Sequence, residues 1–235
     1  MKEQILIILA VLPIAIICKY IYEKDKEKES RRLLSKLLLS GMLAAVLVII
    51  VSLILDVFIP CFKLDNNRSF LQLLFQTFIK IALLEEGMKL LMVYLFGYKS
   101  QEFDETYDIV IYSIFVSLGF AAFENLIYVL TEGSIMLSIT RGILSVPTHA
   151  FSALFMGYYL SLAKILQLQN KKDLEKNNFI KSLIVPTVLH GIYDFCLYLE
   201  NGIVIIFFIV YVVFLYVVSV NKLKYVIKNI AKLQK

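Results

Sequence analysis

Long apolar runs, each about the length of a membrane-crossing helix and separated by short charged stretches, make up most of this chain. About 20 apolar residues are needed to cross roughly 30 Å of hydrocarbon. Seven segments meet that need, near 4–22, 37–60, 70–96, 108–130, 140–163, 182–199 and 202–220. The apolar–polar alternation of a transmembrane β-barrel is absent. The pattern predicts an all-α fold, a polytopic membrane helix bundle of about seven transmembrane helices, in a single integral-membrane domain over 1–235. The third run is interrupted by Gln72, Gln76, Lys80, Glu85, Glu86 and Lys89. It is expected to be tilted or bent and to face protein rather than lipid.

Basic residues orient the bundle. They concentrate in 23–36, 164–181 and 221–235, whereas 61–69 carries only Lys63 and Arg68, and 131–139 and 200–201 carry none. With an odd number of spans, the positive-inside rule puts the N-terminus outside, the C-terminus in the cytoplasm and every lysine-rich segment on one side. The first run offers no small-residue cleavage site before Glu23 and reads as a retained span. Segment 23–32 alternates in charge and is expected to be the solvated start of a helix.

Composition sharpens the class. At 60% hydrophobic and 18% charged, with a mean hydropathy of +0.78, the chain lies outside the range of soluble domains. The net charge of +5 comes from lysines between spans, not from an aromatic-bearing basic face, which argues against nucleic-acid binding. Cys18, Cys61 and Cys196 are isolated, without CxxC or finger spacing, and read as packing residues.

A charged group near the bilayer centre costs about 2.5–3.5 kcal/mol on insertion scales, so intramembrane ionisable residues point to function unless paired away. Glu85 and Glu86 sit mid-helix. Glu85 shares a face with Lys89, while Glu86 points about 100° away and needs another partner. In the fourth run Glu124 and Tyr128 are four apart, and Ser117, Gly119, Ala121 and Ala122 form a small-residue seam. In the fifth, Pro147 is expected to bend the helix where His149 sits. In the sixth, Pro186 precedes His190, and Asp194, one turn on, can orient the imidazole. The plain alternative is a set of helix-bracing ion pairs and packing seams. Depth speaks against it: Glu124, His149, His190 and Asp194 fall in the outer half of the membrane and Glu85–Glu86 near its middle, one layer for one polar cavity.

In order on successive runs, EEGMK (85–89), FENLIY (123–128), Arg141 with Pro147 and His149, and HGIYDF (190–195) resemble the PrsW family of intramembrane proteases. The resemblance covers roughly 70–200, which it marks as the catalytic core. It implies a bacterial cell-membrane enzyme that makes the site-1 cut in a single-span anti-sigma factor, on its extracytoplasmic side, releasing an extracytoplasmic-function sigma factor. The chain is also similar to the CAAX-processing and bacteriocin-immunity protease group, but it departs from the EExxxR, FxxxH and HxxxN pattern at Lys89, Tyr128 and Asp194.

The catalytic candidates are therefore Glu85, Glu86, Glu124, His149, His190 and Asp194. No GxSxG-like element and no Cys–His pairing supports a covalent route. Two schemes remain. In one, Glu85 or Glu86 activates water without a cofactor while the histidines and Asp194 orient or stabilise the oxyanion. In the other, His149 and His190 with Asp194 or Glu124 hold Zn²⁺ and a glutamate of the pair is the base. HExxH is missing and the acidic pair is the densest feature, which favours the first. A proton-coupled transporter and a non-enzymatic membrane scaffold are the alternatives from other classes.

Overall fold

The computed structural model describes residues 2–59, 69–199 and 202–233. Segment 60–68, with Cys61, Lys63 and Arg68, and positions 200–201 lie outside the described residues. The elements are α1 (Lys2–Lys24), α2 (Arg31–Phe58), α3 (Phe70–Phe75), α4 (Leu84–Val93), α5 (Asp108–Glu132), α6 (Ile135–Ile143), α7 (Ser145–Leu168), α8 (Lys172–Tyr198) and α9 (Gly202–Lys228). Wider π-helical turns over Gln76–Leu83 and Tyr94–Tyr98 join α3 and α4 into one rod and extend it. Six helical stretches among the described residues are long and apolar enough to cross a membrane, and this rod, charged and irregular, is the seventh.

Side-chain caps set several boundaries. Ser30 accepts from the Leu33 amide to open α2, Ser69 and Gln72 form a capping box on α3, and Gly133, left-handed at φ 60°, ends α5. The centre of the bundle is α5, buried continuously from Asp108 to Ala122 and packed against α1, α2, α4 and α7. Close approach to α2 requires glycine on both sides. A Cβ on Gly41 would overlap the Val116 carbonyl, and one on Gly119 the Leu38 carbonyl.

The bent third rod has a specific form. A π turn admits one extra residue and rotates the helix beyond it, and here Gln76, Lys80, Glu85, Glu86 and Lys89 are all buried while Gln72 is exposed. Elsewhere three expectations change. The linker expected over 164–181 shrinks to 169–171, because α7 continues to Leu168 and α8 begins at Lys172. Its charges ride on helix surface, and Asn170 makes the turn at φ 56°. Pro147 does not bend a continuous helix. The chain breaks at Leu144, between α6 and α7, and Pro147 lies in the first turn of α7, where its missing N–H leaves no bond unmade. Segment 23–32 is solvated along most of its length but is helical only at its ends: α1 stops at Lys24, 25–30 is irregular, α2 starts at Arg31, and Asp25 and Glu29 are buried.

The lysine-rich segments meet at one end, as the charge distribution requires. Ser30 donates its amide and hydroxyl to Glu102 at 3.1 and 3.0 Å, and Lys232 pairs with Glu27 at 2.6 Å.

Candidate active site

α4, α5, α7 and α8 each aim ionisable side chains at a cavity of about 740 Å³. Glu85, Glu124, His149, His190 and Asp194 line it together with Tyr128 and Arg141, and Glu86 lies directly behind, wholly buried. All six residues singled out from the sequence thus meet in one place. The two imidazole rings, 5.3 Å apart and nearly perpendicular, form its floor.

The adjacent glutamates have different surroundings. Glu86 Oε1 accepts from Lys89 Nζ at 2.8 Å and from His190 Nδ1 at 2.9 Å. Glu85 Oε2 makes only a long contact to Lys89, 3.4 Å, and lies 3.8 Å from His190 Nε2. Glu86 is therefore bound tightly into protein, whereas Glu85 is a loosely held carboxylate at the cavity wall. Lys89 serves both, so Glu86 finds the partner its helix position demanded in the same lysine, three residues on, as well as on α8.

Geometry also fixes a tautomer. An ammonium only donates, so His149 Nδ1, 3.1 Å from Lys89 Nζ, accepts. The proton is then on Nε2, which donates to Glu124 Oε2 at 2.9 Å. Ser117 anchors that turn of α7 by donating to the His149 carbonyl at 2.9 Å. On α8, His190 Nε2 lies 3.3 Å from Asp194 Oδ2, the pairing that the four-residue spacing allows.

Glu124 does not hydrogen-bond Tyr128. Arg141 lies between them, 3.1 Å from Glu124 and 4.1 Å above the Tyr128 ring, and donates Nε–H to Asn125 at 2.7 Å. The guanidinium takes the place of the phenol beside this half-buried carboxylate because it brings an opposite charge as well as donors. Sequence reading gave no role to Asn125, to Phe120, whose ring carries Lys89 at 4.1 Å, or to the Asp56–Lys80 ion pair at the cavity wall. Asp56 was legible as a lone acid within an apolar run, but its partner was not.

A metal ion has one candidate donor set here. Oxygen of Glu85 and nitrogens of His149 and His190 lie within 4.8 Å of one another. Two imidazoles and a carboxylate match the ligand types of catalytic zinc. Asp194 is outside that set, although it meets the same His190 Nε2 that approaches Glu85. The donor types fit zinc, with two conditions: Lys89 places its ammonium against Glu85 and His149 and must withdraw, and His190 Nε2, the nitrogen not taken by Glu86, must turn from Asp194 to the metal.

Residues 29–220 match the profile of the PrsW family of intramembrane metalloproteases. Among curated relatives, the protease PrsW of Clostridioides difficile is 33% identical over 223 residues, covering 93% of this chain and 90% of that one. The protease PrsW of Oceanobacillus iheyensis is 32% identical over 187 residues, 80% of each chain, and that of Bacillus subtilis 36% identical over 124 residues, about half of each. No solved structure matches.

Proposed function

The chain belongs to the PrsW family of intramembrane proteases, and from that premise we propose that it makes the first cut in a single-span membrane protein, an anti-sigma factor, toward the outer face of the membrane. The observation that carries the reading is the convergence of six ionisable side chains from four helices on one cavity. Scattered helix-bracing pairs need no common destination. A proton path needs groups strung across the bundle, and a scaffold has no use for buried charge at all. The core of the activity is 70–200, which holds every one of these residues.

Glu85 is the general base. Loosely held and at the cavity wall, it takes a proton from a water beside it; the resulting hydroxide adds to the scissile carbonyl carbon. His190, oriented through Nδ1 by Glu86 and flanked by Asp194, faces the leaving nitrogen. The proton held by Glu85 passes to that nitrogen as the C–N bond breaks, leaving a carboxyl and an amine terminus. Glu86 and Asp194 are positioning residues for His190, and Glu124 is one for His149, with Arg141 holding Glu124 in turn. Were zinc bound, Glu85, His149 and His190 would hold it, Glu85 then acting as a ligand rather than as the free base, and the ion would supply a more acidic water and a polarised carbonyl.

Co-expression with a tagged single-span anti-sigma factor tests this reading. The expected result is a shortened membrane fragment with the wild-type protein and none with Glu85→Gln at equal expression. Processing by Glu85→Gln at the wild-type rate overturns the assignment of the base, and an uncut substrate with the wild-type protein overturns the substrate class.

A further inference from the structure

Adding hydroxide to the scissile carbonyl carbon moves the π pair of the C=O bond onto its oxygen. An oxyanion in a cavity walled by protein needs donors already aimed at it. Most polar groups around the cavity are spent. His149 Nε2 donates to Glu124 at 2.9 Å, His190 meets Glu86 through Nδ1 and Asp194 through Nε2, and Lys80 is paired with Asp56. Thr148 donates its hydroxyl to the Leu144 carbonyl at 2.8 Å. Lys89, wholly buried, is shared among Glu85, Glu86 and His149.

Arg141 is different. It stands in the last turn of α6, where a helix C-terminus favours a cation, and it lines the cavity. Its side chain crosses to α5 and is fixed there from three directions. Nε donates to Asn125 Oδ1 at 2.7 Å, the guanidinium lies 4.1 Å over the Tyr128 ring, and Nη2 comes within 3.1 Å of Glu124 Oε2. Asn125, wholly buried, is anchored in turn by donating to the Ala10 carbonyl at 3.4 Å. Of the five N–H donors of the guanidinium, only Nε–H makes a hydrogen bond among the described residues. The Glu124 contact is close enough for an ion pair but misdirected for a hydrogen bond, and Nη2 is buried without one. Nη2 approaches the same Glu124 oxygen that receives His149 Nε2–H, so the spare donors sit beside the imidazole side of the cavity.

We propose, resting on the hydrolysis set out above, that Arg141 is a catalytic residue whose terminal N–H groups donate to the scissile carbonyl oxygen and to the oxyanion it becomes. This role adds to its hold on Glu124. As the tetrahedral intermediate collapses, the C=O bond re-forms, the C–N bond breaks and the proton on Glu85 goes to the nitrogen. Arg141 keeps its own protons throughout. A guanidinium suits the task because it stays charged when desolvated and its charge-assisted bonds are roughly twice as strong as neutral ones. Tyr128 and Tyr193 line the same cavity but offer neutral hydroxyls, and the Asp194 carboxylate only accepts. Held by Asn125 and Tyr128 before substrate arrives, the donors need no reorganisation when the charge develops.

The test is a double-mutant cycle on the purified full chain in detergent, with the tagged single-span anti-sigma factor as substrate. Arg141→Lys keeps a cation beside Glu124 but not a fork with donors to spare. It should hold Tm within about 4 °C of wild type, lower kcat by about 10²–10³-fold and leave KM within about threefold, because a donor needed most in the transition state acts on kcat. The same fold loss should recur in a Glu124→Gln background, where a residue acting only through Glu124 has nothing further to lose. In Arg141→Ala, added ethylguanidinium should restore kcat by about tenfold or more, and this rescue is the deciding measurement if Arg141→Lys unfolds. Wild-type kcat in a folded Arg141→Lys, a rise in KM alone, a loss that vanishes in the Glu124→Gln background, or no rescue of Arg141→Ala overturns the proposal. Wild-type protein that cuts nothing overturns the proteolytic reading and this role with it, whereas cutting by wild type beside any of those four results overturns the role of Arg141 alone.

Discussion

Replacing the two adjacent glutamates one at a time by glutamine should give opposite patterns of damage. Glu86 accepts two short bonds, 2.8 Å from Lys89 and 2.9 Å from His190, and is wholly buried. Glutamine keeps its shape but not its charge, leaving Lys89 with the 3.4 Å contact to Glu85 as its one carboxylate partner and His149 Nδ1 as a neutral acceptor. Removing one partner of a buried pair costs about 3–5 kcal/mol. For a chain of this size that lowers Tm by roughly 6–20 °C. Glu85 has no side-chain hydrogen bond or ion pair nearer than 3.4 Å among the described residues, so Glu85→Gln should cost under about 1 kcal/mol and move Tm by less than about 4 °C. Activity follows a different order. Glu85→Gln should reduce cleavage by about 10²–10⁴-fold through loss of the base, at near-native stability. The assay pairs thermal unfolding in detergent with substrate processing at matched protein levels. Equal destabilisation by both substitutions, or a fully active Glu85→Gln, refutes the division of roles.

Elemental analysis of the purified protein settles whether the cavity takes zinc. Stoichiometric zinc, lost in both His149→Ala and His190→Ala, is the outcome for a metal enzyme, and Lys89→Met should then bind zinc more tightly because the competing ammonium is gone; zinc content below about one ion per ten chains in all of them supports the cofactor-free scheme. Gly119→Leu should unfold the bundle or lower its yield severely, because the added side chain meets the Leu38 backbone, which cannot repack as a side chain would; a native Tm for that variant contradicts the α2–α5 seam.

Helices were readable because lipid leaves so few choices: a backbone in hydrocarbon must bond to itself, so each of the seven runs is helical, though the third is interrupted by π turns and the fifth breaks at Leu144. Glu85, Glu86, Glu124, His149, His190 and Asp194 were readable because each is an expensive residue in such a run. What escaped detection depended on three-dimensional competition. Helical spacing offered Tyr128 to Glu124, but Arg141, arriving from another helix, forms the ion pair instead. The same spacing assigned Lys89 to Glu85 alone, while rotamer freedom lets one ammonium reach Glu85, Glu86 and His149. The π turns that rotate Gln76 and Lys80 inward have no local signature in QTFIKIAL. Charge alternation in 23–32 marked a stretch that is mostly solvated, but gave no sign that Asp25 and Glu29 within it are buried.

The polar groups of the cavity form one chain rather than several pairs. It runs from Asp194 through His190, Glu86, Lys89, His149 and Glu124 to Arg141 and Asn125, and ends where Asn125 donates to the Ala10 carbonyl of α1 at 3.4 Å. α1, α4, α5, α6, α7 and α8 are thereby connected through bonds that low dielectric strengthens and that no lipid can replace. The arrangement that prepares His190 and His149 for chemistry is thus also interhelical adhesion. Substitutions should graduate accordingly. At the ends, Asp194→Asn leaves neighbours that can turn to the wet cavity, so stability should hold while cleavage falls. In the middle, Glu86 and Lys89 share every consequence. Glu86→Gln with Lys89→Met should be less damaging than the sum of the two, because the second change removes the charge that the first stranded. Additive losses would mean that the members act as separate pairs, and the cavity would then lose the cooperative order that holds its histidines in place.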